Sequence, residues 1–329
     1  MQLRRDLRPV LLALAAGLVA VSLVGCGGRE RESNDSAQAA ESSELSGRIE
    51  ADGSSTVGPL ATAAAERFQE QHSNVNVTVG ISGTGGGFER FCNGETDISD
   101  ASRPIKDDEE ASICEKNGVE YTELQVAVDA LTVVVNPEND WADCLTVDQL
   151  KAIWEPRSKV DNWSDVPGGE FPDAPLTLFG AGTDSGTFDY FTDAIVGEEG
   201  ASRTDYSATE DDNVTVRGVQ GDTGALGYFG FSYFEQNQDS LKALQIDGGE
   251  GCVEPSAETA QSGDYQPLSR PLFVYVKNES LARPEVQEFV RLLLEENTEV
   301  AEQALLIPLP DEKRDEEIAK FEQAAGAGA

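Results

Sequence analysis

The sequence predicts a layered α/β protein with two domains. Three observations support this fold class: the chain has 329 residues, 39% of them are hydrophobic, and strand-like segments alternate with helix-like ones. Strands that alternate with helices favour sheets with a large parallel component, covered by the helices. The sequence has no evident internal repeat, so each element is assigned from its own pattern.

Three early elements have distinct local signatures. The segment "PLATAAAERFQEQH" (59–72) begins with proline, which suits the first turn of a helix. "NVNVTVGI" (74–81) alternates valines with polar residues and predicts a strand. "TVDQLKAIW" (146–154) predicts a helix that opens with a capping box between Thr146 and Gln149.

The later elements follow from apolar runs and from amphipathic periodicity. Strands are predicted at 124–136, 175–180, 224–231 and 270–278, and helices at about 284–296 and 312–323.

The first 26 residues have the pattern of an export signal. "MQLRRDLR" is positively charged, and a following apolar run, short for a membrane span, leads through small residues into Cys26. We expect a signal peptide over residues 1–25; a single-pass anchor is the alternative. "LVGC" (23–26) resembles the bacterial lipobox, which implies lipidation of Cys26. A membrane-anchored lipoprotein outside the cytoplasm, in a periplasm or at a cell surface, is the expected location.

Residues 26–47 are expected to form a disordered tether. The stretch from 27 to 47 contains one leucine and no aromatic residue, so it cannot bury enough apolar surface to offset the entropy of ordering. The globular body would therefore stay near the membrane and reorient freely.

The charge balance excludes nucleic acid as a partner. With 24 Lys+Arg against 61 Asp+Glu, the formal net charge is −37. We interpret this acidity as a solvated anionic surface, suited to a high-salt setting. Attraction of cations is the alternative, but no clustered ligand set supports it. We expect no metal and no cofactor.

Four cysteines remain after Cys26, an even number in an exported chain, and they predict two disulfides. Three connectivities are open, and four free thiols are the alternative. A zinc site is disfavoured because the sequence has no CxxC and His72 is its only histidine.

Three junctions carry the candidate chemistry. "ADGSSTVGPL" (51–60), "GISGTGGGFERF" (80–91) and "GAGTDSGTFDYF" (180–191) each follow a predicted strand with glycines and hydroxyls and lead into a helix. Backbone N–H groups at a helix start lack partners and lie at the positive end of the dipole, so such turns hold anions. Ser, Thr and Asp are also ordinary helix caps. Three turns of one composition favour an anion site.

These three turns, in this order, resemble those of the phosphate-binding proteins that feed bacterial ABC phosphate transporters. "TDSGTF" is the most specific element, supported by "GSSTVGP", "SGTGGG", "DISDASRP" and "GALGYFGF". The resemblance implies two α/β domains joined by crossing hinge strands, which is the periplasmic-binding-protein fold, with an oxyanion held in the cleft. Domain I would be 48–127 plus 273–329, domain II 128–272, with crossovers near "AVDAL" and "SRPLF".

The resemblance also implies the ligand-binding residues. They come from the three turns and from the segment around 102: Ser55, Thr56, Val57, Thr84, Ser102, Arg103, Ser185, Gly186 and Thr187.

The chain departs from the family pattern at two of these places. Many members have an arginine where this chain has Ala181 and an aspartate where it has Ser102. The arginine would pair with the anion and the aspartate would accept a phosphate proton. Arg103 is the expected replacement cation, ahead of Arg203 and Arg217. The expected proton acceptors are Asp52, Asp100 or Asp184.

With these domains, the expected disulfides are Cys92–Cys114 and Cys144–Cys252, one within each domain.

The expected function is capture of inorganic phosphate by a monomer, without catalysis, and delivery to an ABC permease in the membrane. Another oxyanion, such as sulfate or molybdate, is an alternative ligand. A phosphatase-like hydrolase is disfavoured because His72 is far from any candidate serine and no GxSxG or SxxK motif occurs. An adhesion or surface-scaffold protein on the same fold is the third reading.

Overall fold

The computed structural model describes residues 44–327, so the predicted signal peptide, Cys26 and the tether up to residue 43 lie outside the described residues. The described part forms twelve strands. They are β1 (Gly47–Gly53), β2 (Val75–Gly80), β3 (Ile98–Ala101), β4 (Tyr121–Val135), β5 (Cys144–Thr146), β6 (Thr177–Ala181), β7 (Ser207–Thr209), β8 (Ala225–Gly230), β9 (Lys242–Ala243), β10 (Gln245–Asp247), β11 (Cys252–Val253) and β12 (Ser269–Lys277).

Eleven α-helices lie between and after these strands in the same part of the chain. They are α1 (Gly58–Gln71), α2 (Gly83–Cys92), α3 (Ser112–Asn117), α4 (Val147–Trp154), α5 (Gly186–Phe191), α6 (Asp212–Gln220), α7 (Phe231–Asn237), α8 (Ala257–Ser262), α9 (Pro284–Glu295), α10 (Asn297–Gln303) and α11 (Asp311–Ala327). A π-helical turn, Thr192–Val196, continues α5 directly. No described helix is long and apolar enough to cross a membrane.

Two long strands cross between the halves of the body. The main sheet has the order β2-β1-β3-β12-β4-β8-β6-β7, with β9 also paired to β4. β1 pairs in parallel with β2 and β3, and β6 pairs in parallel with β7 and β8, whereas β4 and β12 pair antiparallel with each other. The predicted parallel strand pairs thus lie on the two sides of the main sheet, and the crossing strands β4 and β12 lie between them.

Each side of the main sheet has its own hydrophobic core. The largest cluster draws all its buried members from residues 49–127 and 272–325, and the second draws all of its members from residues 131–268. We call these parts of the body the first and second lobes. The boundaries at 127/128 and 272/273 remain predictions; they fall within the paired segments of β4 and β12. The tether boundary also remains a prediction, although β1 begins at Gly47 and Leu45 packs on the first core.

The locally patterned elements are confirmed. The helix expected at 59–72 is α1, the strand at 74–81 is β2, and the later strands and helices match β4, β6, β8, β12, α9 and α11 within a few residues. The capping box of α4 is present: Gln149 N donates to Thr146 Oγ1 at 3.1 Å, and Thr146 N donates to Gln149 Oε1 at 2.9 Å.

Both expected disulfides are confirmed. Cys92–Cys114 joins α2 to α3 in the first lobe, and Cys144–Cys252 joins β5 to β11 in the second lobe. In a chain-entropy treatment, closing loops of this length stabilises a domain by about 3–5 kcal/mol per bridge.

Candidate functional site

The three glycine-rich junctions meet at one cleft of about 670 Å³ between the lobes. Each junction has the expected local structure, because β1 leads into α1, β2 into α2 and β6 into α5. Six of the nine residues expected to bind the ligand line this cleft: Ser55, Thr56, Thr84, Ser102, Arg103 and Gly186. The other three, Val57, Ser185 and Thr187, are next to lining residues in the chain. The described body also has a cavity of about 710 Å³ near Asn93 and Asn117, which none of the three turns reaches.

The first turn is held in shape by a buried serine. Ser54 Oγ accepts hydrogen bonds from Thr56 N at 3.1 Å and Val57 N at 3.4 Å, and Ser54 N donates to Asp100 O at 2.9 Å. The Val57 amide, expected to serve the ligand, is therefore directed toward the Ser54 hydroxyl. The hydroxyls of Ser55 and Thr56 stay at the cleft surface.

The first and third turns approach each other across the cleft. A β-carbon on Gly186 would lie 3.1 Å from Ser55 Oγ and 3.2 Å from Thr56 Oγ1, so a glycine permits this approach. Ser185 Oγ accepts a hydrogen bond from Thr187 N at 3.2 Å and caps α5. The Ser185 hydroxyl can still donate its own hydrogen. Donors from both lobes thus lie at one place.

The second turn is joined to the end of β3. Thr84 Oγ1 and Ser102 Oγ are 3.0 Å apart, and Ser102 N donates to Thr84 Oγ1 at 3.2 Å. Behind this turn, Asp52 accepts a hydrogen bond from Ser82 N at 3.0 Å and forms an ion pair with Arg90. The hydroxyls of Thr84 and Ser102 therefore form one polar patch on the wall of the first lobe.

Arg103 lines the cleft with its charge already paired. Its Nη1 and Nη2 donate to the two carboxylate oxygens of Glu110 at 2.8 and 2.6 Å. The other two candidate cations lie outside the cleft. Arg203 is buried and paired with Asp161 and Asp205, and Arg217 is exposed on α6.

A different arginine, Arg270 on β12, also lines the cleft. It pairs with Asp129 at 3.0 Å and donates to Thr56 Oγ1 at 3.1 Å. Sequence reasoning missed Arg270, although it belongs to the predicted crossover "SRPLF". A charged residue in a crossing strand next to the cleft is the signal that would have identified it.

The acids that line the cleft also differ from the expected ones. Asp52 is buried and paired, Asp100 is fully buried, Asp184 is exposed, and none of the three lines the cleft. Asp189, which does line it, was present in the quoted motif "TFDYF". Burial raises the pKa of Asp189, and the nearby charge of Arg270 partly opposes this shift.

Asp100 has an unusual environment within the first lobe. Neither of its carboxylate oxygens has a hydrogen-bond partner in the described structure. Burial, with a contribution from the charge of Asp52, raises the pKa of Asp100 to about 7. This carboxyl group is therefore partly neutral at physiological pH, directly behind the first turn.

Comparison with known sequences and structures identifies the class of protein. The family model described as "PBP superfamily domain" matches residues 38–297. A crystal structure of a possible phosphate binding protein from Planctomyces limnophilus superposes with a TM-score of 0.80 at 47% identity, covering 85% of this chain and 99% of that one. The two-domain α/β fold with crossing strands is thereby confirmed, and its class is that of extracytoplasmic solute-binding proteins.

Curated relatives define the family within this class. Protein SphX of Synechocystis is 49% identical over 273 residues, covering 82% of this chain and 81% of the relative. The phosphate-binding protein PstS of Staphylococcus saprophyticus is 38% identical over 289 residues, covering 87% and 88%. The chain belongs to the family that contains Protein SphX and the phosphate-binding protein PstS.

Proposed function

We propose that the protein captures inorganic phosphate in the cleft between its lobes and delivers it to the permease of an ABC transporter. The observation that carries the proposal is the meeting of the first and third turns, where Gly186 of one lobe faces Ser55 and Thr56 of the other. Hydroxyls and helix-start amides from both lobes can replace the water around a tetrahedral anion. The related phosphate-binding protein PstS supports phosphate as that anion.

Capture by this mechanism needs no chemical step. The anion enters the open cleft, donors from both lobes bind it, and the closed arrangement is favoured because it makes contacts that the open one lacks. The negative net charge does not prevent this, since surface charges are screened beyond about 8 Å at physiological salt. We propose Thr56, Thr84, Ser102, Ser185, Gly186 and Thr187 as the main polar contacts, with Ser55, Val57 and Arg103 beside them.

Asp189 would give the site its selectivity for phosphate. It is the carboxylate of the third-turn helix that lines the cleft, and no described side chain hydrogen-bonds to it. A protonated phosphate can donate its hydrogen to this carboxylate, whereas sulfate has none to donate at neutral pH. This role belongs to Asp189 in place of the acids expected from the sequence. It favours phosphate over the alternative ligands sulfate and molybdate.

The proposal includes the membrane location. A signal peptide over residues 1–25 and lipidation of Cys26 would anchor a monomer outside the cytoplasm, with the following residues as a tether beside the permease. Mass spectrometry of the membrane fraction should find Cys26 as the modified first residue. An intact amino terminus at Met1 would contradict the cleavage.

Binding without turnover is the test of the function. Equilibrium dialysis should find one phosphate per chain, and p-nitrophenyl phosphate should remain unhydrolysed. Thr84→Ala and Ser185→Ala should each weaken binding by about 1–3 kcal/mol, the range for hydrogen bonds to a charged group. Ser207→Ala, an exposed serine on β7, is the matched control and should bind normally. Unchanged affinity in both site variants, or turnover that disappears with Ser185→Ala, would contradict the proposal.

A further inference from the structure

Arg270 lies where the two crossing strands run side by side. It is the register partner of Asp129 across the antiparallel pair of β12 and β4. Its Nε and Nη2 both donate to the same oxygen, Asp129 Oδ2, at 3.1 and 3.0 Å. The ion pair therefore belongs to the segment that connects the lobes.

The same guanidinium contacts both lobes. Its Nη2 donates to Thr56 Oγ1 at 3.1 Å, at the first turn of the first lobe. Its central carbon lies 3.7 Å from the centre of the Tyr190 ring, on α5 of the second lobe. Tyr190 is itself fixed, because its hydroxyl donates to Pro267 O at 2.9 Å. One side chain thus joins the first turn, the helix of the third turn and the crossing strands.

Arg270 also keeps donors for a ligand. Its side chain is 20% exposed and lines the cleft, and its Nη1 has no hydrogen-bond acceptor within residues 44–327. An arginine stays charged throughout the physiological pH range and binds oxyanions through a planar fork. Arg103, by contrast, already uses both of its terminal nitrogens on Glu110. Of these two cleft arginines, Arg270 is the one with a terminal nitrogen that has no acceptor among the described residues.

We propose that Arg270 is the cation that binds the anion, and that it couples anion binding to closure of the lobes. The inference rests on the proposed phosphate function and assigns to that site a residue on the crossing strands. The contacts of Arg270 with Thr56 and Tyr190 exist together only when the two lobes are close. An anion bound to the same guanidinium therefore favours that arrangement over an open one.

The test compares matched arginine variants of the purified protein. Phosphate affinity is measured by titration calorimetry, and closure by the change in radius of gyration in small-angle X-ray scattering when phosphate is added. Arg270→Gln should lower affinity by about 100-fold and remove the phosphate-dependent compaction, because hydrogen bonds to a charged group are lost. Arg103→Gln should lower affinity by less than about 10-fold and keep the compaction. Arg291→Gln, on the part of α9 that faces α11 and outside the cleft, should bind phosphate and compact as the unaltered protein does.

Arg270→Lys covers the case in which Arg270→Gln fails to fold. It keeps the charge beside Asp129 but lacks the planar fork, so we expect binding about 10-fold weaker with the fold intact. If the unaltered protein binds phosphate and Arg270→Lys or a folded Arg270→Gln binds equally well, the inference is wrong and the proposed function stands. Loss of affinity with undiminished compaction would overturn the coupling. Absence of phosphate binding by the unaltered protein overturns both.

Discussion

The two lobes place acidic side chains differently around the same cleft. In the first lobe, Asp52 and Asp100 are 2% and 0% exposed and lie in strands behind the turns. In the second lobe, Asp189, Asp193 and Glu199 line the cleft. Buried carboxyls act on the conformation and stability of the turns, whereas carboxyls at the surface of the cleft act on what enters it. The acids near the site therefore fall into two groups: the buried ones affect the stability of the turns, and those at the cleft surface affect which anion binds.

The largest effect is expected at Asp100. Its pKa is raised from an ordinary 3.8 to about 7, so the folded state holds a proton that the unfolded state has lost. Stability from this group is present at low pH and is lost as pH rises toward 7. Asp100→Asn cannot titrate at this position, so its unfolding free energy should not show that loss. The unfolding free energy of the variant minus that of the unaltered protein should therefore increase by about 3 kcal/mol between pH 5 and pH 8. Urea unfolding at the two pH values measures it.

A pH-independent difference between Asp100→Asn and the unaltered protein would contradict this assignment. It would mean that Asp100 is ionised in the folded state across the range, with a partner that the described contacts lack. Asp100 would then resemble the paired Asp52, and the first lobe would hold two ionised buried carboxylates.

Asp52 should show the opposite effect. Asp52→Asn weakens the contact with Ser82 N and removes the ion pair with Arg90, so we expect a loss of about 1–3 kcal/mol in unfolding free energy. The measurement belongs at pH 5, where Asp100 is largely protonated and does not respond to the charge of Asp52. Glu95→Gln is the matched control, because exposed Glu95 also pairs with Arg90, and it should cost less than about 1 kcal/mol. Equal losses would show that burial of Asp52 does not matter.

In the second lobe, Asp189 should change selectivity and leave stability nearly unchanged. Asp189→Asn should reduce the preference for phosphate over sulfate by about 1.4 kcal/mol, or 10-fold, because an amide no longer repels sulfate. Competition titrations with both anions measure this ratio. Asp184→Asn, an exposed neighbour outside the cleft, should leave the ratio unchanged. If Asp184→Asn changes the ratio and Asp189→Asn does not, the proton acceptor is Asp184, one of the three acids expected from the sequence.

Glu199 should give the smallest effect. It is an exposed residue of the cleft wall, so Glu199→Gln should change affinity by less than about twofold, while association with phosphate at low salt becomes faster. Stopped-flow measurements at two ionic strengths separate the rate from the affinity. If Glu199→Gln accelerates association by the same factor at high salt as at low salt, the effect is not electrostatic.

Local patterns in the sequence predicted much of this architecture. The valines of β2, the proline of α1 and the capping box of α4 depend on neighbours within a few residues, and the three turns were found for the same reason. Arg270 and Asp129 are 141 residues apart and meet only through the register of β12 on β4. The burial of Asp100 likewise depends on three strands from distant segments. Such contacts follow from topology, which no local pattern encodes.

A crystal structure grown with arsenate would test the central claim most directly. Arsenate has the shape and protonation of phosphate, and the anomalous signal of arsenic locates it. We expect one site per chain between the first and third turns, with oxygens about 2.7–3.2 Å from donors of Thr56, Gly186 and Arg270. Arsenate bound elsewhere, or an empty cleft at saturating arsenate, would contradict the account of an oxyanion held between the two lobes.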